Sequence, residues 1–596
     1  MTSALLETRL NEAVAHHQAG RLAEAEALYR KVLERDPDHI NANHLLGVIA
    51  LQTGAYEAAV ELIGKSVAAN PDFGEAHCNL GVALMKLDRT SEAIESYRRA
   101  IAIRPDHGEA LFNLGKALND NGQADEAMDS YQKALACKPD YAEAHFNLGN
   151  ILADRDRPED AREHYRRAIG IDPDYAEAHD RLGVAQRTLG HLDEAMASHH
   201  KALDINPDLG SAHNNLGLCL QEQSRNEDAV ASYQKALDID PDSVEARANL
   251  GNALKELGRL DEAVNEYNKA LTLNPDYAEI HYNLGLVYLL MEDFANGWQE
   301  YDWRWRKQNF PSRRTEYDRP LWDGGDITGK RLLVWSEQGV GDELLFAGLI
   351  PDLMERGIDV VVDCDPRLAP LFARSFPSAV CVPKGEAGQA FDCHIPIGGL
   401  GRILRPSAIT FPDPKPYLHA NPELRTDLRE RYLAKTSGPL VGLSWFSDSP
   451  DYGPQSSLAL QQLRPLLEIP GITFVDLQYG DTTDQRSTIA RETGNEILHD
   501  DQVDQRNDMD TFAAQIAAMD LVVSIDNSIA HLAGALGVPT WGLLRFVPFW
   551  LWGLGHEDSR WYPSVRLFRQ DRSGDWDSVV GQAAALLSEW PKGGGN

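Results

Sequence analysis

The chain has 596 residues, and at about 150 residues per domain that length sets a soft expectation of roughly four domain-sized units. Ninety-one acids against 57 bases leave a net charge of −34, which repels a phosphate backbone and argues against generic DNA or RNA binding. Cys78, Cys137, Cys219, Cys364, Cys381 and Cys393 are scattered, with no Cys-x-x-Cys pair and no histidine cluster at zinc spacing. Neither a disulfide framework nor a metal is therefore expected, and a reducing, cytoplasmic setting fits.

Residues 1–20 read as a polar amphipathic helix rather than a targeting signal, and no run approaches the length of a membrane span. A proline then recurs every 34 residues, at Pro37, Pro71, Pro105, Pro139, Pro173, Pro207, Pro241 and Pro275, each followed by Asp. Nine residues after each comes Leu-Gly, from Leu46-Gly47 to Leu284-Gly285. A small residue repeats from Ala25 to Ala263, and a tyrosine follows four residues on in most units: Tyr29, Tyr97, Tyr131, Tyr165, Tyr233 and Tyr267. Each unit reads as helix–turn–helix closed by proline. The pattern resembles the tetratricopeptide repeat family, over residues 1–306. The resemblance implies an all-α solenoid of about nine units, wound into a superhelix with a concave groove.

The residue before Leu-Gly is Asn79, Asn113, Asn147, Asn215, Asn249 and Asn283, interrupted by Arg181 and, in the first complete unit, by Leu45. An amide offers both donors and an acceptor, so a ladder of them can clamp an extended polypeptide backbone. Similar ladders mark repeat-bearing O-GlcNAc transferases, which makes the six asparagines candidate peptide-binding residues; the plain alternative is a consensus residue. The parallel column His77, His145, His179, His213 and His281 reads as packing rather than metal binding. The period fails at Gly297 and Asn309. Trp298, Trp303 and Trp305 suggest an apolar closing helix, and 307–329, with Pro311, Pro320 and Gly324-Gly325, a linker.

From residue 330 short apolar runs alternate with helical segments: 332–335, 360–362, 380–382, 393–395, 440–445, 474–477, 521–525 and 540–544. They predict parallel sheets flanked by helices. A break around 414–437 gives two Rossmann-like lobes, 330–425 and 437–590, facing across a cleft suited to a nucleotide ligand. The first carries Glu337-Gln338-Gly339-Val340-Gly341-Asp342, a strand meeting a glycine turn whose acid could take a proton from a hydroxyl or simply cap the helix. The second carries Asp526-Asn527-Ser528-Ile529-Ala530-His531 opening a small-residue helix, where free N–H groups are expected to hold an anion. Asp363-Cys364-Asp365 reads as a loop cap.

These blocks, with Val441-Gly442-Leu443-Ser444-Trp445, Leu477-Gln478 and Trp561-Tyr562-Pro563, resemble family 9 glycosyltransferases, the heptosyltransferase-like group, over about 325–590. The resemblance implies a two-lobed α/β domain of the GT-B type and metal-independent inverting transfer, with no cofactor beyond a nucleotide-sugar co-substrate. It also implies Asp342 as base on the acceptor-side lobe. Gly341, Gln478, Asp526, Asn527, Ser528 and His531 would lie around the donor. Relatives carry an arginine in the stretch 452–458 and a Pro-Asp-Trp-Arg-Trp element; here the first is missing and the second reads Pro548-Phe549-Trp550-Leu551-Trp552, with Arg545 as a candidate substitute. The leading expectation is transfer of a sugar to a protein held by the repeats. The alternatives are a glycan or lipid-linked acceptor in cell-surface polysaccharide synthesis, and a non-catalytic scaffold. The sugar, the nucleotide and the oligomeric state are not legible.

Overall fold

The computed structural model describes residues 3–308, 310–312, 314–388, 390–436, 438–449 and 453–590. The chain forms two compact units, Met1–Pro241 and Asp242–Asn596. The division falls inside the repeats, ahead of the change of sequence period at 306.

The first unit contains only helix pairs among its described residues, from Ser3–Gln18 with Leu22–Leu33 to Gly210–Glu222 with Asn226–Ile239. The second opens with two more pairs, Val244–Glu256 with Leu260–Leu273 and Ala278–Leu290 with Phe294–Tyr301. The recurrent alanines, Ala25 to Ala263, are fully buried. The Leu-Gly glycines make room for the partner helix's ring: a Cβ at Gly217 would lie 2.5 Å from Tyr233 Cε1, and one at Gly115 2.7 Å from Tyr131 Cε1. In one unit the ring is His199, whose Nδ1 lies 2.8 Å from Asp180 in the interior. Because a packed ring cannot give way cheaply, Gly217→Ala is expected to destabilise the first unit by about 1–3 kcal/mol despite alanine's better helix propensity. A melting temperature at or above that of the wild type would contradict this packing.

Within each pair the turn adopts positive φ at every 34th position: Gly20, Gly54, Asp88, Gly122, Asp156, Gly190, Ser224, Gly258 and Glu292, between +55° and +81°. Glycine takes this conformation at no steric cost, whereas the four other residues occupy it under mild strain. The histidine column closes the other turn. His77, His145, His179, His213 and His281 each place Nε2 2.9–3.3 Å from the carbonyl oxygen of the proline six residues earlier. The expected packing role therefore includes a hydrogen bond that satisfies a turn carbonyl.

In the second unit a four-stranded parallel sheet has the order β3-β2-β1-β4, with β1 Arg331–Trp335, β2 Asp359–Cys364, β3 Val380–Pro383 and β4 Cys393–Pro396. A six-stranded parallel sheet has the order β10-β9-β8-β5-β6-β7, with β5 Leu440–Ser444, β6 Thr473–Asp476, β7 Ile497–Leu498, β8 Leu521–Ile525, β9 Thr540–Leu544 and β10 Val565–Arg569. Each predicted apolar run coincides with or overlaps a strand, while β7 and β10 were not anticipated. The two-residue β7 is too short to show a pattern, and β10 alternates with charge as an edge strand can.

One expected boundary needs correction. The expected linker, 307–329, carries contacts of its own: Leu321 bridges to His394, Trp322 is buried, and its backbone N–H donates to the His394 carbonyl. The first lobe's expected end at 425 falls inside the helix Pro422–Leu433, capped by Asn421 and packed on the Met509–Ala517 helix of the second lobe.

Candidate functional site

Both sheets end their central strands at the same place. After β1 the chain makes a tight loop, with Gln338 at φ +64°, and enters the helix Val340–Ala347. After β8, Asp526 and Asn527 lead into the helix Ser528–Ala535. The first turns of these helices abut: a Cβ at Gly341 would lie 3.6 Å from His531 Cδ2 and 3.9 Å from Ser528 Cα, ordinary contact that glycine makes possible. Gly341, Asp342, Asp526, Ser528 and His531 thus share one cluster at the carboxyl ends of two parallel sheets, where such folds bind ligands.

The electrostatics are unusual for so small a volume. Burial, with Glu337 and Asp526 adding like charge, pushes the Asp342 carboxyl up to about 7, against the pull of its hydrogen bond from the Gly339 N–H at 3.3 Å. The capping alternative for Asp342 thus describes a real contact. Burial also raises the Asp526 carboxyl, opposed by Trp552 and Arg545. His531, buried against Trp552 and Tyr562, is pushed down to about 4 by burial and shares a 2.7 Å hydrogen bond between Nδ1 and the Tyr562 hydroxyl. At neutral pH the imidazole is uncharged.

That depression has a thermodynamic consequence. Below pH 6.5 the unfolded chain protonates this histidine, while the folded chain resists until about 4. Stability is therefore full above 6.5 and declines as pH falls toward 4. Urea midpoints at pH 7 and pH 5 should drop more for the wild type than for His531→Gln; equal drops would contradict the burial of a neutral imidazole.

The loop carrying Asp342 is held from the end of the repeats. Arg304, fully buried, donates from Nε and Nη2 to the two carboxylate oxygens of Glu337 at 2.8 and 2.9 Å, and Glu337 Oε1 also accepts the Gly398 N–H. Gln338 donates from its side chain to the Tyr301 hydroxyl and from its backbone to Ser312 Oγ. Arg304, Glu337, Tyr301 and Tyr562 were not assigned roles from sequence. The Trp-Arg-Trp-Arg run at 303–306 was the available signal, but its partner lies 33 residues on.

Several predicted ligand contacts are already engaged by the protein. Asn527 Oδ1 accepts the N–H groups of Ile529 and Ala530, so the helix caps itself, and the expected set of free N–H groups is reduced by those two. Its amide nitrogen donates to Ser444 Oγ. Gln478 Oε1 accepts from Trp445 N and Phe446 N at 3.0 and 2.9 Å and from Ser444 Oγ, so it braces the loop after β5 instead of reaching out. Arg545 donates to Glu256 Oε2 at 3.2 Å and to Gln455, which places this cation on a repeat carboxylate. Trp550 and Trp552 are buried, Trp550 in edge contact with Trp298 at 5.4 Å. Of the stretch expected to lack a basic residue, Tyr452 lies outside the described residues.

The asparagines sit half-buried on the first helix of their units. Asn79, Asn215 and Asn283 direct amide donors sideways to His44, Asp180 and Asn252 of the preceding unit, at 3.0–3.1 Å. In those three the expected open amide donor is instead part of an inter-repeat bond. Asn113 is hydrogen-bonded beside Cys78. Asn147 and Asn249 lie on the helices Ala142–Asp154 and Val244–Glu256. Asp363 accepts the Gly385 N–H and Asp365 the Arg367 N–H, both in loop-closing roles.

Comparison with known proteins bears on the repeats. Tetratricopeptide repeat family profiles match residues 16–81, 78–142, 142–175, 176–209, 220–258 and 251–291. The helix pairs are tetratricopeptide repeats, a type of array that suggests protein binding. Protein FlbA of Caulobacter vibrioides is 33% identical over 323 residues, 51% of this chain and 54% of that protein, so the chain spans about half the length of this curated relative. Among solved structures, YrrB, described as a repeat protein with an unusual peptide-binding site, is 24% identical, covering 31% of this chain and 96% of YrrB at a TM-score of 0.29. MamA is 26% identical, covering 28% of this chain and 92% of MamA at a TM-score of 0.27. Among the described residues no helix is long and apolar enough to cross a membrane.

Proposed function

We propose that the α/β part is a GT-B-type glycosyltransferase and that it modifies a protein acceptor recruited by the repeats. The observation that carries this reading is Asp342, a carboxyl pushed up to about 7, next in the chain to Gly341, which abuts the first turn of the Ser528–Ala535 helix. A carboxylate of that basicity suits general-base work near neutral pH. In the proposed step Asp342 takes the proton of an acceptor hydroxyl, and the hydroxyl oxygen forms a bond to the sugar's anomeric carbon. The bond from that carbon to the donor's phosphate oxygen breaks, and a nucleoside diphosphate leaves with the electron pair. Displacement from the opposite face inverts the centre. The Ser528 hydroxyl, the dipole of its helix and the neutral His531 then stabilise the leaving phosphates without a metal.

A second reading is a non-catalytic protein-binding scaffold. It is favoured by the engagement of Arg545 with Glu256 and by the self-capping Asn527, which leave few groups for a diphosphate. Calorimetric titration of the full chain with UDP-, GDP- and ADP-sugars separates the two. Saturable binding weakened by His531→Ala supports the enzyme, and no binding of any donor leaves the scaffold.

A further inference from the structure

A second cavity, of about 450 Å3, lies at the carboxyl end of β4 and is roofed by the segment that follows the last repeat. Three arginines converge on it, Arg306, Arg314 and Arg402, against one lining acid, Asp302. Asp302 already faces Arg304 at 2.9 Å through one oxygen and Arg402 at 3.2 Å through the other. Among the described residues the ion-pair partner of Arg306 is a distant one, Asp276 at 3.9 Å, and Arg314 makes no ion pair. In a chain carrying 34 net negative charges, a pocket with a surplus of about two positive charges is a marked local reversal of sign.

The aromatic lining narrows the ligand. Trp303 is stacked on His281 at 3.8 Å and covered by Arg306 at 4.5 Å; two groups that close must occupy opposite faces of the ring. Arg304 lies 4.6 Å over Trp305, and Trp322 is buried. A sugar ring or nucleobase, which binds tryptophan through its face, therefore finds little face to stack on. Carboxylates on flexible chains remain well suited: guanidinium forks pair with them bidentately, and the tryptophan edges and half-exposed Leu321 accept neighbouring aliphatic groups.

We propose that this cavity anchors an acidic segment of the polypeptide acceptor beside the last repeat, on the ligand-binding side of the first sheet. It shares with the preceding reading only the polypeptide partner and does not depend on sugar transfer. The test is fluorescence and calorimetric titration of the full chain, without donor, with a synthetic peptide alternating glutamate and leucine and with its glutamine counterpart. The acidic peptide should bind and change the tryptophan emission, and the glutamine peptide should not. Arg314→Gln should weaken binding about two- to five-fold, and Arg314→Gln with Arg402→Gln about ten-fold or more. Arg314→Gln disturbs no ion pair among the described residues, and an unchanged melting temperature for the variant would separate lost binding from misfolding. Equal binding of both peptides, indifference to Arg314→Gln, or displacement by inorganic phosphate at comparable concentration would overturn the proposal. If peptide binds but no donor does, the anchor stands and the transferase reading falls; if a donor binds and the peptide does not, the reverse holds.

Discussion

Asp342→Asn is expected to lower sugar transfer by about 10²- to 10⁴-fold, the usual contribution of a positioned general base, while leaving the fold intact and donor binding close to wild type. The amide is isosteric and can still accept the Gly339 N–H, so only the proton acceptor is lost. The wild-type rate should rise with pH through a limb near 7, set by the raised carboxyl, and the variant should lose that limb. Stability should move the other way. A carboxyl with a folded value of about 7 against 3.8 for the unfolded chain contributes fully while protonated, below about 4. That contribution is lost as pH rises through 7. At pH 8 the asparagine variant should therefore match or exceed the wild type in denaturant resistance, by at most a few kcal/mol. Unchanged transfer would remove Asp342 from the mechanism; a large loss of stability at pH 8 would show that its charge is welcomed rather than tolerated.

Breaking the Arg304–Glu337 pair is expected to produce the largest loss of stability. Both side chains are at 0% exposure, and their two parallel hydrogen bonds satisfy charges that cannot reach water. Arg304→Met leaves an unpaired carboxylate, costing about 3–5 kcal/mol, whereas Glu337→Gln leaves the guanidinium with Asp302 as its remaining carboxylate partner and should cost less. Combining Arg304→Met with Glu337→Leu should recover much of the loss, because two apolar residues need no partner. In urea unfolding monitored at several probes, the single changes should shift the transition of the second unit and leave that of Met1–Pro241 in place. Losses that simply add in the double variant would mean that the two side chains do not interact.

The repeats were legible because a period of 34 residues writes the same packing problem many times, so one exception such as His199 does not obscure the column. The parallel strands were legible for a related reason: strands covered on both faces become apolar runs, as Leu521–Ile525 shows. The positive-φ column escaped notice because four of its nine members are Asp, Ser or Glu, and residue identity alone does not reveal backbone conformation. In the candidate site, the glycine turn and Asp342 could be read from local sequence. The groups that raise or lower their proton affinities could not. Arg545 meets Glu256 across 289 residues, and His531 meets Tyr562 across 31. Local pattern also overstated ligand contact. Gln478 and Asn527 stand at motif positions, yet their amides close the loop after β5 and the helix that follows β8.

Glu292 holds its turn at φ +63° where glycine would be relaxed, and its two carboxylate oxygens receive Arg560 at 2.6 and 2.7 Å. Together with Trp298, Tyr301 and Arg304 it makes the final unit a custom fitting rather than an interchangeable copy. The preceding unit is tied as well, through Glu256 to Arg545, so a gain or loss of 34-residue steps that spares these two carboxy-terminal members would change reach without retuning the chemistry.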